Sequence, residues 1–300
     1  MVGYLFAGQG SQCVGMGKDL FDSFPQARAI FERANRVLGF SLSELCFKGP
    51  LGELTKTNNC QPAIVTMSIA CWQAYQSGKA QTDGYMAGLS LGEYSALVAA
   101  GALNFEDAVY LVEKRGQFME EEAVKHPGRM LSIIGLDLVK VKEICAEVKA
   151  ELANINCPGQ VVISGSLSSI ENAQILAKEK GAKLAVVLEV SGAFHSSFMQ
   201  GASAKLAKEL ENIHISAPKF PLVSNVTAKV VSSVEEIKQN LIRQVSGSVL
   251  WDDSMKLILS KGVSRFVEFG PGKVLKGLMR RIDGNAEVVN IERKEDISVL

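Results

Sequence analysis

The segment Gly88-Leu89-Ser90-Leu91-Gly92 constrains the fold more than any other. It follows a short apolar stretch, 83–87, that reads as a strand. It opens a run, 91–100, that reads as a helix with Gly101 as its stop. A GxSxG between strand and helix is the pattern of a tight turn that exposes a serine at its tip. The glycines permit the strained turn and the close packing around it. The helix that follows turns backbone N–H groups and a positive dipole end toward the place where an oxyanion would form. The same five residues in a plain helix N-cap would carry no chemistry. The strand–turn–helix setting favours a nucleophile, Ser90.

The rest of the chain fits that start. A first strand over 4–7 feeds the loop Gly8-Gln9-Gly10-Ser11-Gln12, a second candidate source of oxyanion N–H groups. Amphipathic helices are expected over 25–38, 61–79 and 106–124, the last closed by His126-Pro127-Gly128. Then the rhythm changes: strand 130–136, helix 138–149, strands 151–155 and 160–164, helix 168–180, strand 183–190. This β-α-β-β-α-β order is the ferredoxin-like one. Short strands are also expected at 221–227 and 265–270. The reading is an α/β fold with a mostly parallel central sheet. Residues 1–128 and 191–300 would form the large domain, and 129–190 an inserted α+β subdomain.

Composition narrows the function classes. Hydrophobic residues make up 47% of the 300, enough for a buried core. Thirty-two basic and 32 acidic side chains balance, so overall charge points to neither nucleic acid nor a membrane surface. No apolar run reaches the roughly 18 residues of a membrane span. MVGYLFAGQGSQ lacks the basic and apolar regions of a signal peptide, and the expected compartment is the cytoplasm. Cys13, Cys46, Cys60, Cys71, Cys145 and Cys157 form no CxxC pair. They read as reduced, buried thiols, with no zinc site and no metal.

A serine nucleophile needs a base. Three histidines are available. His126 sits in a surface breaker and His214 in a polar stretch, at a strand edge. His195 lies in Val190-Ser191-Gly192-Ala193-Phe194-His195, a glycine-containing loop after an apolar strand, and is the best candidate. Arg115, midway along an amphipathic helix, reads on its own as a solvated charge. In a serine site it could instead hold a substrate carboxylate through paired hydrogen bonds. The GQGSQ loop lacks the Walker spacing, and Cys13 stands where a GxGxxG would need its last glycine. Gly270-Pro271-Gly272-Lys273 reads as a turn.

Taken together the motifs resemble the malonyl-CoA:acyl carrier protein transacylases and the acyltransferases of polyketide synthases. The stretches are FAGQGSQ (6–12), GLSLGEYSALVAAGAL (88–103), LVEKRGQFM (111–119), NCPGQVVISG (156–165), VSGAFHSSFM (190–199), APKFPLVSNV (217–226) and EFGPGKVL (268–275). They keep the family's order and spacing over nearly the whole chain. The resemblance implies a hydrolase-like α/β domain, an inserted ferredoxin-like subdomain, and a site between them. It implies ping-pong transfer: Ser90 is acylated by malonyl-CoA, His195 shuttles the proton, and the carrier's phosphopantetheine thiol collects the acyl group. By position, the N–H groups of Gln9 and Leu91 form the oxyanion hole, and the Gln244 carbonyl orients the histidine. Arg115 holds the malonyl carboxylate. Phe194 fills space an α-methyl group would need, and Asn156 lies at the small-subdomain edge of the cleft. An acyl carrier protein is the implied partner. No bound cofactor is implied, CoA and phosphopantetheine being substrates, and family members of this length look like monomers.

Two positions depart from the family. Leu89 stands where histidine is usual, and Ala7 where proline is usual. They bear on substrate range and rate more than on reaction type. Three other readings compete. An α/β-hydrolase esterase would share the elbow but not the use of Arg115. An editing acyl hydrolase of the same family is expected to lack that arginine. A non-catalytic carrier binder would have no need of Ser90 and His195. Lys273, Lys276 and Arg280, near one face of a C-terminal helix, are candidates for docking an acidic carrier. A solvated charged face is the competing account.

Overall fold

The computed structural model describes residues 1–77 and 83–298 of the chain. Its central sheet has four parallel strands. β1 (Val2–Phe6) is flanked by β2 (Gly84–Gly88) and, on its other side, by a strand Arg265–Phe269 that pairs in turn with Glu287–Ile291. The register aligns Phe6, Gly88, Phe269 and Ile291 at one edge. The loops leaving that edge are therefore neighbours in space, and the carboxyl ends of parallel strands are where such sheets hold their ligands. Segment 221–223 runs beside β2: Met86 N–H donates to the Pro221 carbonyl and Val223 N–H to the Met86 carbonyl, at 2.8 and 2.9 Å. The expected strand over 221–227 is reduced to isolated bridges at Leu222 and Val223. Asn225, whose side chain is taken up at the turn around Ser90, and Thr227, which accepts locally from Lys229 N–H, break it off. The strand Glu287–Ile291 was not expected; its half-exposed alternation and acidic start give a weak apolar signal.

Both faces of this sheet are covered. Tyr4, Phe6 and Phe269 meet Trp72 of helix Thr57–Gln76, with Phe6 and Phe269 stacked at 5.4 Å. That helix starts four residues before the expected 61, carrying Pro62 inside it. Burial on nearly every side offsets the hydrogen bond that the proline forgoes. Positions 78–79 of the expected helix lie outside the described residues. Helix Phe105–Lys125 packs tightly against it: a side-chain carbon on Gly116 would sit 2.7 Å from the Thr57 carbonyl oxygen. The close approach sets Arg115 against Gln61.

The second sheet is antiparallel. Its strands are β3 (Gly128–Ile134), β4 (Glu151–Cys157), β5 (Gln160–Ser166) and β6 (Leu184–Val187), in the order β4-β5-β3-β6. With helices Leu138–Val148 and Leu167–Glu179 this is the ferredoxin-like arrangement that the sequence order implies. Leu131, Ile133 and Ile163 face the two helices, while Met130, Val162 and Ala153 join the main core, as the period-two alternation of strands requires. The two remaining strands of the central sheet follow β6 in the chain as β7 (Arg265–Phe269) and β8 (Glu287–Ile291). The edge strand β4 is tied to the body by Ile155 N–H to the Val249 carbonyl (2.9 Å) and Val249 N–H to the Ala153 carbonyl (2.8 Å). Arg281 reaches the β4–β5 turn, donating to Gln160 Oε1 at 2.9 Å and to the carbonyls of Pro158 and Gly159.

Gly116→Ala tests the helix contact. The added methyl meets backbone on the facing helix, so the pair must separate. Overpacking of this kind costs about 1–3 kcal/mol. A urea midpoint equal to that of the wild type would show that the contact is not limiting.

Candidate active site

The serine sits where the elbow forces it. β2 ends at Gly88, and Ser90 has φ +50°, the left-handed region that a non-glycine residue occupies at a cost. A side-chain carbon on Gly88 would lie 2.0 Å from Gly92 backbone, and one on Gly92 would lie 2.2 Å from the Phe6 carbonyl oxygen. Neither position admits a side chain. Two buried amides hold the strained residue: Ser90 N–H donates to Asn225 Oδ1 at 2.6 Å, and Gln244 Nε2 donates to the Ser90 carbonyl at 3.0 Å. Asn225 also donates to the Gly88 carbonyl at 2.8 Å. The Ser90 N–H is thereby engaged. Among the described residues, no protein acceptor takes the N–H of Gln9 or of Leu91.

His195, also left-handed at φ +56°, lies on a loop pinned from both ends. Ser164 Oγ of β5 donates to the Phe194 carbonyl at 2.5 Å, and Ser196 Oγ to the Ala193 carbonyl at 2.6 Å. Its Nε2 is 2.8 Å from Ser90 Oγ and its Nδ1 is 2.8 Å from the Gln244 carbonyl oxygen. A carbonyl only accepts, so Nδ1 carries the proton and Nε2 is left bare to take one from serine. The ring is 6% exposed. Burial first, and then the nearby Arg115 charge, push its pKa down to about 4. At neutral pH it is an uncharged base.

Arg115 is 1% exposed, against the expectation of a solvated charge for a lone helix arginine. Nη1 donates to Gln61 Oε1 at 2.9 Å. Nη2 donates to Gln244 Oε1 and to Ser90 Oγ, both at 3.1 Å. Its guanidinium lies 5.8 Å from the Tyr94 ring centre, and Nε has no protein partner. Burial lowers its pKa, while Tyr94 and Glu93 act to raise it. Glu93 is buried beside it and accepts from Gln244 Nε2 at 2.6 Å and from Asn225 N–H at 3.3 Å. Burial raises the Glu93 pKa to about 7. Gln61 also reaches Gln9 Oε1 at 3.4 Å, linking the arginine to the loop after β1.

Ser90, His195, Arg115 and Gln244 thus meet directly. Phe194 is buried in the main core under the histidine loop, and Leu91 begins the helix after the serine. Asn156 forms no bond to this group, and its buried Oδ1 has no protein partner. Leu89 packs against an apolar cluster that includes Cys157, Val249 and Trp251. Ala7 N–H donates to the Phe269 carbonyl at 3.0 Å, a bond that proline could not make. Gln61, Asn225 and Glu93 were not singled out from sequence. His126 is exposed near Glu122, and His214 bonds to Ser216 in a loop rather than at a strand edge. Cys13 is exposed, not buried; the other five cysteines are buried. Among the described residues no group of His, Cys, Asp or Glu could hold a metal ion, and no helix is long and apolar enough to cross a membrane. Lys273, Lys276 and Arg280 are exposed on or beside helix Val274–Ile282.

An elbow serine with a neutral imidazole on its hydroxyl, beside unengaged backbone N–H groups, is the equipment of an enzyme that carries an acyl group on serine. The acyl transferase domain model matches residues 3–293, and the chain belongs to that family. It is 44% identical to the malonyl CoA-acyl carrier protein transacylase of Bacillus subtilis, over 99% of this chain and 95% of the relative. It is 43% identical to the Escherichia coli protein of that name, over 93% of this chain and 92% of the relative. Among solved structures it resembles a malonyl-transacylase in complex with a type II PKS acyl-carrier protein. That match has a TM-score of 0.96, 40% identity, and covers 99% of this chain and 98% of the other. The acyl carrier protein S-malonyltransferase of Vibrio cholerae matches with a TM-score of 0.96 at 38% identity, over 99% of both chains.

The depressed histidine sets a pH expectation. His195 is the active base only above its folded pKa, so labelling of Ser90 by a fluorophosphonate should lose its rate near pH 4, not near 6.5. The unfolded imidazole protonates near 6.5. This group therefore costs stability progressively as pH falls from about 6.5 to about 4. A labelling limb at 6.5 would refute the buried, neutral base.

Proposed function

We propose that the protein moves a malonyl group from malonyl-CoA to the phosphopantetheine thiol of an acyl carrier protein, through an ester on Ser90. The carrying observation is the Arg115 guanidinium, buried and 3.1 Å from Ser90 Oγ. A malonyl group bears its free carboxylate one methylene beyond the carbonyl under attack. A buried cation at this distance binds that carboxylate and leaves simple acyl groups without a partner.

Ser90 Oγ attacks the thioester carbon while His195 Nε2 takes its proton. The N–H groups of Gln9 and Leu91 receive the oxyanion, and the Gln244 carbonyl stabilises the imidazolium through Nδ1–H. The C–S bond breaks and the CoA sulfur leaves with the proton from Nε2. The carrier's thiol then repeats the cycle in reverse: it gives its proton to Nε2, attacks the ester carbon, and Ser90 Oγ departs with that proton. No third carboxylic acid and no resident cofactor are required. Phe194 closes the space beside the α-carbon, favouring malonyl over methylmalonyl. Asn156, with its unpartnered buried oxygen, supplies a polar contact on the small-subdomain side. Lys273, Lys276 and Arg280 form the docking face for an acidic carrier; the last turn of that helix also carries Arg281, which holds the turn beside Asn156. We take the large domain to be 1–128 and 191–300, the subdomain to be 129–190, and the enzyme to be a cytoplasmic monomer.

Intact-protein mass after mixing with malonyl-CoA should show a malonyl adduct on the wild type and none on Ser90→Ala. Release of CoA without an adduct would favour an editing hydrolase instead. Arg115→Ala should lower kcat/KM for malonyl-CoA by about ten- to a hundredfold, the worth of a charge-assisted hydrogen bond at about 1.5–3 kcal/mol. Reversing the charges of Lys273, Lys276 and Arg280 together should raise the KM for carrier protein and leave Ser90 malonylation unchanged. An unchanged KM would remove the docking face.

A further inference from the structure

The buried amide of Gln244 can present either its oxygen or its nitrogen to Arg115, and something must decide which. In the structure Nε2 donates to Glu93 Oε2 (2.6 Å) and to the Ser90 carbonyl (3.0 Å), leaving Oε1 to accept from Arg115 Nη2 (3.1 Å). Turned over, the amide would set its oxygen against two acceptors and its N–H groups against the guanidinium, with every bond lost. The Ser90 carbonyl is one acceptor. The Glu93 carboxylate is the other, at the shorter distance and buried at 2% exposure, where an unpaired polar atom is most costly. Glu93 also accepts from Asn225 N–H, and Asn225 holds the Ser90 N–H. A glutamate three residues past the nucleophile thus touches neither the hydroxyl nor the imidazole. It still governs what Arg115 meets.

We propose that Glu93 is a positioning residue for recognition of the acyl group: by fixing the Gln244 amide it aims the Arg115 guanidinium, and so sets the preference for an acyl chain bearing a free carboxylate. This rests on the reading that Arg115 takes the malonyl carboxylate. The role belongs to hydrogen-bond direction, not to net charge; a negative charge near Arg115 would by itself weaken attraction for a second carboxylate. A neutral acceptor of the same reach can therefore replace it.

The test is the ratio of kcat/KM for malonyl-CoA to that for acetyl-CoA, on folded enzyme counted by active-site titration. Glu93→Ala should lower the ratio about tenfold or more, since ångström-scale misplacement of a positioning group can cost up to about a hundredfold. Glu93→Asp keeps the charge but draws it back from Nε2, and should lower the ratio as well. Glu93→Gln can keep an oxygen toward Nε2, and should hold the ratio within a few-fold. In an Arg115→Ala background Glu93→Ala should lower the ratio no further, because the two act as one unit. Equal loss with both substrates would mean a merely structural role and overturn the proposal. A ratio kept by Glu93→Asp and lost by Glu93→Gln would overturn it in favour of charge. If Arg115→Ala alone leaves the ratio intact, the carboxylate reading of Arg115 fails and the proposal goes with it. A ratio lowered by Arg115→Ala but not by Glu93→Ala or Glu93→Asp overturns the Glu93 role alone.

Discussion

Gly92 lies so close to the carbonyl of Phe6 that no side chain fits between them, and the arrangement of the site depends on that contact. It presses the first turn of helix Gly92–Ala99 against the end of β1. The elbow after β2 and the loop after β1 are thereby brought side by side at the strand ends. Ser90 and Leu91 come from one, Gln9 from the other. The parallel register that puts Phe6 beside Gly88 makes the contact possible, and two glycines make it tolerable. Backbone geometry sets where the nucleophile stands, and the side-chain amides of Asn225 and Gln244 hold it there.

Electrostatics do the next part of the work. A cation, a carboxylate and an imidazole are all buried within one hydrogen-bonded cluster. Low local dielectric makes each of them costly alone, and strong once paired. The two amides of Gln244 and Asn225 resolve this by pairing unlike neighbours: each gives its N–H groups to oxygen and its oxygen to a donor. The imidazole stays neutral first because it is buried, and then because the guanidinium beside it disfavours a second positive charge.

What was legible in the sequence was local. Ser90 was readable because its two glycines and flanking elements lie within a few residues. His195 was the histidine in a glycine-containing loop after an apolar stretch, and the β-α-β-β-α-β order of the subdomain is a pattern of neighbours in the chain. What could not be read from composition or spacing depends on contacts between distant segments. Gln61 meets Arg115 only because Gly116 lets two helices touch, and Asn225 reaches Ser90 only because 221–223 runs beside β2. Glu93 is one residue beyond the GxSxG pattern, yet its partners lie more than 130 positions away. Resemblance to a known family placed Arg115, Gln9, Leu91 and Gln244 where residue patterns alone left them open. The helix that carries Pro62 begins at Thr57, before the expected 61, and is buried along most of its length, a tertiary contribution that a local rule does not see.

The histidine loop has a divided allegiance. Its Phe194 carbonyl is gripped by Ser164 in the antiparallel sheet, while the imidazole itself is gripped by Gln244 in the main body. The base is therefore a joint between two bodies. The 2.8 Å approach of imidazole to serine therefore rests on both holds at once. Neither sheet alone sets the imidazole against the hydroxyl: the antiparallel sheet fixes the loop and the main body fixes the ring.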